Sequence, residues 1–595
     1  MTIPLLNRQL MKKLLPLFLV LLFSCQKTTT DEKATTGNTA LAQLFESIDK
    51  FSTAPEDSLY KGYHPHGKWL SNSYAYQQTR VDSLKKYVSA IEAIAEATLT
   101  DQEKISKSVM LINLRDQIDN VTYKMLFIPF NAEGGFYNSM SYSISSLPFD
   151  SAKNYYDYLA WLPNYEIVLQ ENLELMKQGI AEGIVAPKIV VKNTLELLKP
   201  WAVDDYQQSV FYSPIANMPK SINELDRTAI QQESEKVIGK LLATYKTVND
   251  FFANEYMTAA KETPGISFVP GGKEYYENRV KHYTTLPLMP DSIHNLGLAE
   301  VARIHEAMKK VMDEVKFKGS FAEFIQFLRT DKQFYPKTAQ ELLNYASWLS
   351  KKAEGQLPKF FNTLYTLPFT VEPVPADIAP TYTAGRAVGG SWKAKRAGKY
   401  WVNTYNLPSR SLYNMPALTL HEAVPGHHLQ GALASEIKGI PEFRNRYYIS
   451  AFGEGWGLYC EYLGEEMGMY TTPYEYFGRY TYEMWRAARL VIDTGIHYKG
   501  WTREQALKYL ADNTALSIHE VTTEIDRYIG WPGQALSYKI GEIKIKDLRK
   551  KSEEALGKKF NIGEFHNAIL KNGSVPLTLL EAQVDAYIEA TLAAK

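Results

Sequence analysis

Apolar residues recur at three- and four-residue intervals between charges over most of the chain before residue 365. The runs from Val81 to Leu99, Ala152 to Leu198, Ser221 to Ala260, Leu298 to Lys316 and Thr338 to Tyr365 carry this pattern, which predicts amphipathic helices. Pro and Gly clusters, Glu262-Thr-Pro-Gly and Val269-Pro-Gly-Gly, punctuate them. The texture changes between Leu367 and Asn406. There Phe369-Thr-Val-Glu-Pro-Val-Pro reads as an extended segment. Gly389-Gly390 followed by Gly398 and Lys399-Tyr-Trp-Val reads as a short hairpin. Helical spacing resumes after Pro416, and no repeat at solenoid periods is present. The pattern predicts a mainly α protein with one small β-hairpin region. At 595 residues the chain exceeds what one core normally supports, so two lobes are expected, 45–365 and 366–595.

The N-terminus has a different pattern. Lys12 and Lys13 precede an apolar run from Leu14 to Phe23, too short to span a bilayer as a mature helix. The run closes as Leu22-Phe23-Ser24-Cys25, which resembles a bacterial lipobox. Residues 1–25 are therefore expected to be a signal peptide, with Cys25 the lipidated first residue of the mature chain. Residues 26–44 are expected to be a flexible tether, since Gln26 to Ala40 is rich in Thr and Lys and nearly free of apolar side chains. The expected location is outside the cytoplasm, anchored by lipid to the outer membrane and facing the periplasm or the cell surface.

Charge and composition narrow the chemistry. Lys+Arg and Asp+Glu are 66 each, so the chain has no basic field to seek phosphates and nucleic acid is not an expected partner. Hydrophobic residues at 45% and charged residues at 22% exclude disorder over most of the length. The only cysteines are Cys25 and Cys460, so any metal must be held by histidine and carboxylate.

Three histidines fall in one window, His421-Glu422-Ala-Val-Pro-Gly-His427-His428. In a His-Glu-x-x-His helix, residues four apart share a face and converge on zinc, with the glutamate as general base. Here the fourth position is Pro425, which cannot ligate. On an ideal helix His427 would point about 120° away from His421, whereas His428 returns to the same face about two turns on. Pro425 and Gly426 predict a local break that could swing His427 back. Spacing supports a metal site and leaves His427 and His428 as alternatives. A third, carboxylate ligand is expected from Phe452-Gly-Glu454-Gly-Trp-Gly-Leu-Tyr-Cys-Glu461, where Glu454 and Glu461 share a helix face.

The strings His-Glu-Ala-Val-Pro-Gly-His-His-Leu-Gln, Glu-Gly-Trp-Gly-Leu-Tyr and Tyr528-Ile-Gly-Trp-Pro-Gly-Gln-Ala-Leu-Ser-Tyr538-Lys resemble the domain-of-unknown-function family 885, DUF885. That family is similar to the gluzincin metallopeptidases: mainly helical and two-lobed, with a zinc cleft between the lobes. The resemblance implies one zinc ion on His421, His427 and Glu454, with Glu422 as base; the two-residue insertion keeps His428 in play, and Glu461 is the alternate carboxylate. For the oxyanion of a peptidase transition state, the candidates are His497 and Tyr538. Arg527 or Lys539 could hold a substrate carboxylate, and the Gly385-Arg386 segment could form an edge for an extended peptide. Arg486, Arg489, Asp493 and His497 stand at helical spacings, with Asp493 a candidate to orient a ligand histidine.

The leading expectation is a zinc-dependent exo- or oligopeptidase. A metal-dependent amidase acting on modified amino acids or cell-wall peptides would use the same site. A non-catalytic lipoprotein binding glycans or peptides fits the composition but gives no reason for the histidine window.

Overall fold

The computed structural model describes residues 38–52, 71–139, 144, 147–376 and 378–594. The signal peptide, Cys25 and most of the expected tether lie outside these residues. The tether is shorter than expected at its far end. Helix α1 (Thr39–Ser52) already begins there, because Leu41, Phe45 and Ile48 form a buried stripe.

The helical expectation holds, with sharper boundaries. After α1 come α2 (Tyr74–Glu92), α3 (Asp101–Thr122) and a short hairpin of β1 (Phe130–Asn131) and β2 (Gly134–Gly135). The run from Ala152 is two helices, α4 (Ala152–Glu182) and α5 (Lys188–Leu198), split where Gly183 turns left-handed at φ 74°. Helix α6 (Glu224–Asp250) passes into a π-helical turn at Phe251–Tyr256. Helix α7 (Gly272–Thr284), α8 (Pro290–Glu314), α9 (Phe321–Thr330) and α10 (Ala339–Glu354) follow. Several starts are capping boxes, as at Thr100/Glu103 and Ser320/Glu323, where each side chain satisfies the other residue's backbone N–H.

The segment before the histidine window folds as a three-stranded sheet in the order β3-β5-β4. Strand β3 (Phe369–Pro373) pairs parallel with β5 (Gly398–Val402), and β4 (Gly385–Val388) pairs antiparallel with β5. Alternate residues of β5, including Tyr400 and Val402, are buried, as a half-covered strand requires. Next come α11 (Met415–Glu422), α12 (His427–Glu436), α13 (Ser450–Leu463) and α14 (Pro473–His497). The chain ends with α15 (Arg503–Asn513), α16 (Ile518–Gly530), α17 (Ser537–Leu556), α18 (Ile562–Leu570) and α19 (Leu577–Ala593).

One large buried cluster runs from Ile105 to Ile588, so both parts of the chain contribute to it. Helix α14 is its spine, apolar or buried nearly all round, with α8 lying along it. Helices α13 and α17 pack against each other just as tightly. A Cβ on Gly541 would stand 1.9 Å from the Ala451 carbonyl oxygen, and one on Gly455 2.5 Å from Gly541. Backbone therefore meets backbone at this crossing. No described helix is long and apolar enough to cross a membrane.

The crossing gives a prediction. Gly541→Ala should push α13 off α17 and destabilise the protein by at least about 2 kcal/mol, read as a lowered denaturation midpoint. An unchanged midpoint would show that the helices can part without cost.

Candidate metal centre

Helix α11 is buried from Met415 through His421 and stops at Glu422. Ala423 leaves helical geometry at φ −91°, ψ −109°, and a new helix starts at His427. The interruption lies at Ala423–Gly426. Pro425 has no N–H for a helical ladder, and a Cβ on Gly426 would stand 1.9 Å from the His421 carbonyl oxygen. Only glycine lets the chain double back this closely. Trp456 of α13 fixes the loop by donating from Nε1 to the Pro425 carbonyl at 2.9 Å. His427 is thereby turned to face His421, with ring centroids 4.7 Å apart and planes at 85°.

Glu454, in the second turn of α13, completes the cluster. Its Oε2 lies 3.5 Å from His421 Nε2 and 3.3 Å from His427 Nε2. Around tetrahedral zinc, neighbouring N and O ligand atoms are about 3.3–3.5 Å apart, so these separations match the edges of such a site. One atom from each of His421, His427 and Glu454 lies within 4.8 Å of the others. The three side chains are 2%, 16% and 14% exposed, respectively. Donor type, spacing and burial therefore fit a zinc ion.

Behind these three side chains, His421 Nδ1–H donates to Glu461 Oε1 at 2.8 Å. That bond fixes the ring's orientation and leaves Nε2 directed at Glu454. Burial alone would lower the His421 pKa, but hydrogen bonding to Glu454 and Glu461 outweighs it and raises it to about 9. Burial would raise Glu454, yet the two histidines hold it well below the usual carboxylate range. The carboxylates thus favour positive charge on the imidazole, and the imidazoles favour negative charge on Glu454.

Glu422 follows His421 and lines the same cavity, which is about 660 Å³. Its Oε2 accepts from the Ala387 N–H at 2.8 Å. Since β4 is an edge strand and Ala387 points its N–H away from β5, the free edge of the sheet faces the cavity. The sheet is tied to α11 where the Tyr400 hydroxyl meets Thr419 Oγ1 at 3.3 Å. Tyr538, Arg386 and Arg527 also line the cavity, and the Tyr538 ring stacks 6.4 Å from that of His421.

Five expectations need correction. His428 is buried with its Nε2–H donating to the Leu367 carbonyl at 2.9 Å, and it packs on Tyr365 and Phe369, away from the cluster. His497 is fully buried. Its Nδ1 accepts from Ile266 N–H, its Nε2–H donates to the Tyr528 carbonyl, and burial lowers its pKa to about 4. It stands eleven residues, about 16 Å of helix, beyond Arg486 and has no atom to offer an oxyanion. Lys539 is buried among Glu300, Glu483 and Glu542, facing away from the cavity because it is one residue past Tyr538. Asp493 accepts from the Tyr276 hydroxyl and the Gly533 N–H and orients no ligand histidine; that task falls to Glu461, which does not line up as a ligand.

The cavity also contains residues not anticipated from the sequence. Tyr448, in the loop before α13, lies over Gly453 within electrostatic reach of Glu454. Glu133, on the turn between β1 and β2, reaches in beside Arg527. Neither sits in a periodic pattern that would mark it.

The family model for DUF885, described as a bacterial protein of unknown function, matches residues 55–584. Among solved structures, a candidate lipoprotein from Colwellia psychrerythraea is 27% identical with a TM-score of 0.80, over 87% of this chain and 92% of that one. A second candidate lipoprotein of unknown function, from Shewanella oneidensis, is 17% identical with a TM-score of 0.70, over 92% and 99% respectively, and shares the fold. No curated protein matches the sequence.

Glu461→Gln should weaken zinc binding about 10–100-fold, measured by competition with a chromophoric chelator. His427→Ala should lose zinc while His428→Ala keeps it. The reverse order would overturn the ligand assignment.

Proposed function

This chain belongs to the DUF885 family, and we propose that it is a zinc-dependent peptidase, lipid-anchored outside the cytoplasm. The single observation that carries the reading is the convergence of His421, His427 and Glu454, at ligand-to-ligand distances suited to zinc, beside Glu422 and an open sheet edge in one cavity. Bound zinc would polarise a substrate carbonyl and acidify a water molecule.

The remaining work falls to the chain itself. Glu422, steadied through one oxygen by the Ala387 N–H, takes a proton from the attacking water and returns it to the leaving amine nitrogen. Tyr538 borders His421 and lines the cavity, so its hydroxyl is a group that can donate to the developing oxyanion. The outer edge of β4, apart from the Ala387 N–H that Glu422 occupies, offers main-chain groups to an extended peptide. An amidase would use the same residues, and the choice between them is one of substrate.

Glu422→Gln should retain zinc and lose about 10²–10⁴ of peptide cleavage, measured by mass spectrometry of a peptide-library digest. Full activity in that variant, or purified protein with no zinc affinity, defeats the proposal. The anchor is tested separately: radiolabelled palmitate should enter the wild type and not Cys25→Ser, and an unlabelled wild type rejects the lipobox.

A further inference from the structure

The wall of the cavity beyond Tyr538 is strongly cationic. The Arg489 guanidinium lies 4.1 Å over the Tyr538 ring, one aromatic ring away from the ligand His421. Arg386, Arg486 and Arg527 line the same space. The fixed carboxylates do not match this charge. Glu524 lies 2.8 Å from Arg489 and 3.4 Å from Arg527, so two guanidinium groups share it. Glu461 is 3.5 Å from Arg486 but already accepts from His421. Among the described residues, Arg386 has no carboxylate at ion-pairing distance; it rests 5.2 Å over the Tyr382 ring. Among the described residues, Arg486 Nε, Arg489 Nη1 and Arg527 Nε are buried without hydrogen-bond partners. Arg527 also donates from Nη2 to Gln534 Oε1 at 2.6 Å, which leaves Nε as its unmet donor. Unmet guanidinium donors are costly, and a carboxylate oxygen is the acceptor they lack.

Glu422 faces Arg386 across the cavity, and a further carboxylate approaches this wall from the other part of the chain. Glu133 rides on the tight turn between β1 and β2, whose Glu133 and Gly134 N–H groups both donate to Asn131 Oδ1. Its Oε1 reaches 3.3 Å from Arg527 Nε without forming an aligned hydrogen bond, and the side chain is still 36% exposed. It is a loosely held counter-ion on a wall that needs a better one.

We propose that Arg386 and Arg527 bind the free carboxylate of the substrate, that cleavage falls at the amide next to that carboxylate, and that Glu133 is the resident counter-ion the carboxylate displaces. The inference rests on the peptidase reading and narrows it to cleavage at the carboxy-terminal end. A peptide C-terminus and an N-acyl amino acid present the same group.

Binding and turnover test the two layers separately. On inactive Glu422→Gln protein, calorimetry should show a tripeptide acid binding about 10–100-fold more tightly than the same tripeptide amide. Adding Arg386→Met should bring that ratio toward one. Since Arg386 is exposed, a thermal melt should confirm an intact fold. Glu133→Gln should tighten binding of the acid and not of the amide. Equal binding of acid and amide, or a ratio indifferent to Arg386→Met, overturns the carboxylate site whatever the protein hydrolyses. In turnover by zinc-loaded wild type, cleavage of the peptide acid or of an N-acyl amino acid tells which source supplies the carboxylate. Cleavage of neither, with acid-selective binding intact, refutes the hydrolase reading and leaves the carboxylate site standing.

Discussion

His421 is buried, bonded through Nδ1 to Glu461, and left with Nε2 facing Glu454 and His427. An imidazole enclosed by two carboxylates away from water is tolerable only if something positive shares the space, since unpaired buried charge is expensive. Arg486, 3.5 Å from Glu461, supplies part of that charge. Helix α13 supplies both carboxylates seven residues apart, one facing the ligand atoms and one behind the ring. The glycine crossing between α13 and α17 brings Tyr538 up against the same imidazole.

The rest of the cavity answers the negative cluster with positive charge. Arg486 links the two, since it approaches Glu461 on one side and stacks 4.0 Å over Trp485 on the other. Indole and phenol rings between the guanidinium groups keep them apart and hold them by cation–π attraction. The result is a polarised space, anionic at the histidine–glutamate cluster and cationic beyond Tyr538.

Much of this was legible in the sequence, for physical reasons that differ by level. The helices showed themselves because burying one face requires apolar spacing of three and four. Their ends were less visible: Gly183 splits one predicted helix, and Pro290 starts another earlier than its apolar pattern does. For the site, residue chemistry was readable and direction was not. His421, Glu422 and Glu454 declare themselves by type, but choosing His427 over His428 depends on how the chain turns at Pro425 and Gly426. His497 and Lys539 share the opposite failure. Each has suitable chemistry near the right element, and helical rise or rotation carries it out of the cavity. Glu133 had no local signature at all, because its role arises from docking between distant parts of the chain.

The interruption at Ala423–Gly426 has a mechanical consequence. His421 and Glu422 end one rigid rod, and His427 begins another. A shift of α12 would therefore alter the geometry of the three-residue cluster without moving Glu422. A His-Glu-x-x-His helix lacks that degree of freedom. Two contacts restrain it here, from Trp456 to the Pro425 carbonyl and from His428 to the Leu367 carbonyl. The second histidine of the pair thus serves as the strut for the first.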